Sequence, residues 1–347
     1  MPSLFHGSKP SLFPQAEYQV VPSSQCIARE TGICRQIILL IIPDITAICS
    51  VFARVLLGRQ EAGPVLKKDN YLRPSKNDVK VADMKQLLAI GLLVLPYVFS
   101  PVTFGQVSGK VVDIPTRPGV TQRFLYLAPV SAKASVILFA GGHGGLQIRD
   151  DGSFGWGKGN FLVRTRQLFA DSGLAVVVID APSDRQSAPF LSGFRQTPEH
   201  VADVKAVIAW LKHRAEIPVW LIGTSRGTQS AAFIVTQLTA QEGGPEGLVL
   251  TSTILIDDKG RPVPEMALEK ITIPVLVVHH EQDGCKLCPY SEIPRLMNKL
   301  SSTPKKELVS FRDGTNRGDP CEAFAYHGFN GLEEEVVKKI VTWIKTR

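Results

Sequence analysis

No basic stripe interleaved with aromatic residues runs along these 347 residues, although the formal net charge is +7. Lys and Arg are spread along the chain, so the charge reads as a solubility property, and nucleic acid is excluded as the expected partner. There is no internal repeat and no low-complexity tract, which removes repeat arrays from consideration. Thiols are absent between Cys49 and Cys285: Cys26, Cys34 and Cys49 lie early, and Cys285, Cys288 and Cys321 lie late. Cys285-Lys286-Leu287-Cys288 has the spacing of a redox or zinc pair. No second pair accompanies it, and a zinc site of this kind needs four ligands, so a metal is not expected.

What is present is ample apolar material. The chain is 44% hydrophobic, enough for one large α/β domain with a full core and extra material beside it. Met84-Lys85-Gln86 is followed by the apolar run Leu87 to Phe99 and then small polar residues through Gly105. A basic start, a compact apolar run and a small-residue end have the layout of a secretory signal peptide, and the run is short for a membrane span. Cleavage near Gly105 would leave Gln106 as the first residue; a buried helix or an uncleaved anchor are the alternatives. Signal peptides begin chains, so one resolution is that Met84 is the true start and residues 1–83 come from an upstream start. That N-terminal extension is rich in turn-formers (Pro2, Pro10, Pro14, Pro22) and shows no clean alternation of strand and helix. Its apolar stretch from Gln36 to Leu57 is interrupted by Pro43-Asp44 and Arg54, and an Asp at mid-bilayer is costly.

From about Val107 the pattern alternates β and α. Lys110–Ile114 and Thr121–Leu127 alternate like half-exposed strands of an antiparallel edge. Ala134–Ala140, Leu174–Asp180, Ile217–Ile222, Gly247–Thr253 and Ile273–His279 read as buried strands, and Glu307–Phe311 as the last. Helices are expected at Phe161–Ser172, from Pro198 to His213, at Gln229–Leu238 and at Glu333–Thr346, the second with Thr197 as its cap. Strands alternating with helices imply a mainly parallel sheet covered on both faces.

The chemistry concentrates at Gly223-Thr224-Ser225-Arg226-Gly227. A serine between two glycines at a strand-to-helix turn is how a hydroxyl is held out of a tight bend as a nucleophile; the neighbouring chain leaves no room for Cβ atoms there. A serine hydroxyl needs a base, and the base an orienting acid. In a parallel sheet these come from loops at the carboxyl ends of strands. Asp283 follows the strand ending at His279, and His327 follows the last strand, giving the order serine, acid, histidine.

On these residues the stretch 107–347 resembles an α/β-hydrolase. The resemblance implies Ser225 as nucleophile, His327 as general base and then acid, and Asp283 as the carboxylate that fixes the imidazole. Gly141-Gly142-His143-Gly144-Gly145 resembles the family's glycine-rich oxyanion loop without its His-Gly-Gly-Gly order. The N–H of Arg226 and that of His143 or Gly142 are the expected donors. Glu281, Asp257 and Asp258 compete with Asp283, and His279 and His280 compete with His327. Trp156, Phe154, Phe190 and Phe194 either line an acyl pocket or cover the sheet; Asp180, ending a strand, reads as a structural hydrogen-bonding residue. A Cys285–Cys321 bridge would tie the acid loop to the base loop and agree with export to an oxidising compartment. Cys288–Cys321 is the rival pairing, and either leaves an odd thiol.

The expectation is therefore an exported serine hydrolase of carboxylic esters, periplasmic or extracellular, needing no cofactor and acting on a small-molecule ester. Its contact with a membrane would be transient, through the signal segment, or that of an uncleaved anchor. About twenty residues separate Thr253 from Ile273, so no large cap domain is expected. The alternatives are a peptidase or other acyl hydrolase on the same fold, and a non-catalytic binding protein that kept it.

Overall fold

Runs of Val, Ile, Leu and Phe long enough to be buried on both faces pair into a single eight-stranded sheet in the computed structural model, which describes residues 106–257 and 260–346. The extension 1–83, the signal-like segment 84–105, the three early cysteines and Asp258 lie outside the described residues. The strands are β1 Gly109–Arg117, β2 Val120–Leu127, β3 Ser135–Phe139, β4 Ala175–Pro182, β5 Val219–Thr224, β6 Gly247–Thr251, β7 Val275–His280 and β8 Lys306–Phe311. Their spatial order is β1-β2-β4-β3-β5-β6-β7-β8. The first two are antiparallel to each other, with Gly109 opposite Leu127, and β2 is antiparallel to β4. Every later pairing is parallel. The half-exposed alternation of β1 belongs to its edge position. The unbroken burial of β3 through β7 belongs to strands with helices on both faces.

The helices are α1 Phe161–Arg164, α2 Arg166–Asp171, α3 Pro198–Arg214, α4 Gly227–Gln237, α5 Ile293–Lys299 and α6 Glu333–Lys345, among the described residues. Each face of the sheet takes one set. Ile137, Phe139, Val177, Leu221 and Val277 pack under Val204, Ile208 and Leu211 of α3 and Ala231 and Val235 of α4. The alternate residues Val136, Leu138, Val178, Ile222 and Val278 pack under Phe161, Phe169 and the Val336, Ile340 and Ile344 stripe of α6. This period-2 split is the sheet's own geometry carried into two cores.

Three details depart from the expected pattern. The helix expected over Phe161–Ser172 is two, with a break at Thr165. Its Oγ1 donates to the carbonyl oxygen of Phe161 at 2.7 Å, a side-chain bond that competes with the helical ladder. Strand β4 runs on to Pro182 because it pairs with Gln122 of β2. Helix α5 was not anticipated, since seven residues are too few to establish a helical period. Among the described residues, the connection from Thr251 to Val275 contains two single-turn 3₁₀ helices, Val263–Glu265 and Leu268–Lys270, and with about twenty residues it is too short for a large cap domain.

Trp220 is 2% exposed, and its ring meets that of Trp343 edge-on at 5.4 Å, locking α6 onto the sheet. Trp220→Ala should lower unfolding free energy by about 3–5 kcal/mol, read as a lower midpoint in guanidinium at unchanged slope.

Candidate active site

Strand β5 ends at Thr224 and α4 begins at Gly227, so Ser225 and Arg226 make the bend alone. Ser225 lies in the left-handed region at φ +52°, where an L residue is held at a cost of roughly 1–2 kcal/mol. Its surroundings enforce the strain. A Cβ at Gly223 would come within 2.5 Å of the Gly227 carbonyl oxygen, and one at Gly227 would overlap the carbonyl oxygen of Phe139 at the end of β3. The Ser225 N–H donates to Thr251 O at 3.1 Å, and its carbonyl accepts from Thr228 Oγ1 at 2.6 Å.

Asp283 and His327 meet. His327 Nδ1 donates to Asp283 Oδ2 at 2.8 Å, and Asp283 Oδ1 accepts from the Cys285 N–H at 2.9 Å. That bond fixes the imidazole with Nε2 outward. Nε2 is buried and has no hydrogen-bond partner among the described residues. Ser225 and His327 both line a cavity of about 240 Å³, together with Gly141, Gly142, Trp156 and Phe324. The serine hydroxyl and Nε2 are not themselves bonded. Such bonds are commonly loose before substrate arrives.

The His327 loop is clamped from three sides. Ser252 Oγ donates to the His327 carbonyl at 2.6 Å. Arg164 Nη2 donates to the Gly328 carbonyl at 2.6 Å and pairs with Glu333 at 2.8 Å. A disulfide joins Cys285, two residues past Asp283, to Cys321, six before His327. The odd thiol is Cys288, whose Sγ donates to Ser252 O at 3.4 Å; burial pushes its pKa well up, so it is an inert thiol. Ligand atoms of Cys285, Cys288 and His327 lie within 4.8 Å of one another, but Cys285 is a disulfide sulfur and offers no thiolate.

The competing groups are engaged elsewhere. Glu281 pairs with Arg312 at 2.6 Å, and Asp257 with the Arg226 side chain at 2.7 Å. His279 Nε2 donates to Cys288 O and His280 Nε2 to Asp313 O, each at 2.8 Å. His279 stands 3.6 Å from Asp283 Oδ2, and burial lowers its pKa, so it is a neutral neighbour of the acid.

The N–H groups of Gly142, His143 and Arg226 donate to no described residue. The loop that carries the first two is built around Asp180. Its carboxylate accepts from the N–H groups of Leu146 at 2.6 Å, Gln147 at 3.2 Å and Ile148 at 2.8 Å, as well as from Ala181. His143 is sandwiched between Trp156 at 3.8 Å and Phe190 at 4.3 Å, and its Nδ1 accepts from the Gly145 N–H. Burial, then the charge of Arg195, lowers its pKa, which keeps it neutral. Of Trp156, Phe154, Phe190 and Phe194, Trp156 lines the serine cavity, while Phe154 and Phe194 are buried cover. Asp180's four-fold grip, Arg164 and Ser252 carry no sequence motif, because each acts through backbone groups far along the chain.

Comparison with known proteins agrees with the fold. An esterase of Pyrococcus furiosus is 15% identical, covers 69% of this chain and 91% of its own, and superposes with a TM-score of 0.52. A second crystal form of an esterase from that organism gives 14% identity, 69% and 93% coverage and a TM-score of 0.50. A cold-adapted esterase from an Arctic intertidal metagenomic library gives 16%, 70% and 95%, with a TM-score of 0.49. No protein-family model and no curated protein sequence matches the chain. At such identities the likeness to the Pyrococcus furiosus esterase speaks for architecture alone: this is the α/β-hydrolase fold.

Tying residues 36 apart in sequence should contribute about 3–4 kcal/mol through the restricted unfolded chain. The double variant Cys285→Ser/Cys321→Ser should lose that much in denaturant unfolding. Alkylation mapping of the unreduced, unfolded protein should label Cys288 and neither of the other two late cysteines.

Proposed function

We propose that the protein is an exported serine hydrolase that cleaves carboxylic esters through an acyl-enzyme on Ser225. The observation that carries this reading is the 2.8 Å Asp283–His327 bond, which turns an unpartnered Nε2 into the region of a strained, glycine-flanked serine. A histidine held in this tautomer is a base waiting for a proton.

Ser225 Oγ attacks the ester carbonyl carbon as its proton passes to His327 Nε2. Asp283 stabilises the imidazolium that forms. The oxyanion is received by the N–H of Arg226 and that of Gly142 or His143, each such donor being worth about 3 kcal/mol in the transition state. Collapse breaks the ester C–O bond, and the alcohol leaves with the proton from His327. Water then enters, gives its proton to the same nitrogen and releases the acid, returning Ser225. Residues 106–347 form the hydrolase domain in this reading, with 84–105 as the export signal and 1–83 as a separate extension. The Cys285–Cys321 disulfide supports export, since such bonds persist in oxidising compartments. Esters are favoured over amides because the structurally similar proteins carry the name esterase.

Wild-type protein should turn over 4-nitrophenyl acetate and butyrate and take one equivalent of a fluorophosphonate probe. Ser225→Ala should remove both signals. Asp283→Asn should lower kcat by about 10³–10⁴-fold while the fold persists. Wild-type protein showing neither labelling nor turnover would favour a binding protein that kept the fold.

A further inference from the structure

On the far side of the Gly142 loop lies a second cavity, of about 400 Å³, that the proposed acyl transfer does not use. Gly142 lines both cavities, so this one neighbours the serine cavity. Three arginines line the second cavity, Arg195, Arg226 and Arg261, against one described carboxylate, Asp257. Asp257 is already committed. Its Oδ2 accepts from Arg226 Nη1 at 2.7 Å and from Gln229 Nε2 at 3.0 Å.

Arg195 is the unusual member. It is only 5% exposed, and no carboxylate among the described residues pairs with it. Its Nη2 donates to the carbonyls of Ala140 and Gly142, both at 3.1 Å, and its Nη1 to Ser230 Oγ at 2.9 Å. These dipoles solvate the guanidinium but bring no opposing charge, and a buried cation without one is expensive. Burial, and the nearby charge of Arg226, push its pKa down to about 9, which leaves it cationic at neutral pH. Bracing the glycine loop would explain the donors. It leaves the cation without an opposing charge, beside a cavity that Arg226, paired with Asp257, and the exposed Arg261 also line. A guanidinium is the natural partner of a carboxylate, which it meets with paired N–H donors.

We infer that this cavity is an anion subsite, and that the ester hydrolysed at Ser225 carries a carboxylate which Arg195, Arg226 and Arg261 receive. The substrate class is thereby an ester bearing a free carboxylate, either a half-ester of a dicarboxylic acid or an ester of a hydroxy acid. The inference rests on the serine-hydrolase reading for its link to turnover, though the binding site stands without it.

Two matched substrate pairs, each differing in one charged group, test it at low ionic strength. Mono-4-nitrophenyl adipate against 4-nitrophenyl hexanoate puts the charge on the acyl side; 4-acetoxybenzoate against 4-acetoxybenzamide puts it on the leaving side. In one pair kcat/KM should favour the anion by about tenfold, the scale of a charge-assisted hydrogen bond. That ratio should shrink at least about fivefold in Arg195→Gln and in Arg261→Gln, and should fall with added salt. Because each ratio is internal to one protein, general damage to the site cancels. Ratios near one in both pairs, with the neutral esters turned over, overturn the subsite and leave the hydrolase reading intact. Calorimetric titration of Ser225→Ala with monomethyl adipate separates binding from chemistry. Measurable binding that weakens about tenfold on adding Arg261→Gln supports the subsite even if no ester is hydrolysed, and the absence of binding overturns it. Arg261 is exposed, so its variant keeps the test open if Arg195→Gln fails to fold.

Discussion

There is no room for a side chain at Gly227: a Cβ there would overlap the carbonyl oxygen of Phe139 at the end of the neighbouring strand. That close approach draws α4 down onto β3 and β5, and Ser225 takes a left-handed conformation to make the turn. The strain is local, and the cores on both faces of the sheet sustain it. Much else is arranged around that bend. Strand β3 ends beside it and releases the glycine loop, and Thr251 of β6 holds the Ser225 N–H. Both Asp283 and His327 come from loops at this same edge of the parallel sheet, as the topology requires.

The loops that carry Asp283 and His327 are held by different means, which fits their different lengths. The Asp283 loop is short and follows a fully buried strand. The segment from Phe311 to His327 is long and has little regular structure of its own. It is secured by a covalent link to Cys285, by Ser252 and by Arg164. Without those ties the imidazole would depend on one hydrogen bond to Asp283. The disulfide thus serves orientation as well as stability, and it does so next to a buried thiol that takes no part.

Much of this was legible in the sequence because it is written in local patterns. Buried parallel strands announce themselves as unbroken Val, Ile and Leu runs, and Thr197-Pro198 marks a helix start. The glycines around Ser225 state a steric fact about two residues. The order of Ser225, Asp283 and His327 followed from where strands end. What was not legible depends on distant contacts. Thr165 splits a helix through its own hydroxyl, which no hydrophobic period records. Asp180 holds a loop more than thirty residues away by backbone N–H groups, which any residues supply. The arginines are the clearest case. Spread along the chain, they read as solubility, yet the fold gathers Arg195, Arg226 and Arg261 around one cavity.

A strained turn, an oriented imidazole and N–H groups without acceptors among the described residues lie at one edge of the sheet, and the proposed reaction asks them to act together. The central claim is spatial: Ser225 Oγ, His327 Nε2 and the Arg226 N–H converge on one reacting carbonyl. A crystal structure of the protein after reaction with a fluorophosphonate tests this most directly. The account predicts phosphorus bonded to Ser225 Oγ, a phosphonyl oxygen within hydrogen-bond reach of the Arg226 N–H and of Gly142 or His143, and His327 Nε2 beside the serine oxygen. An adduct on another residue, or an imidazole at 327 turned away from a modified Ser225, would contradict it.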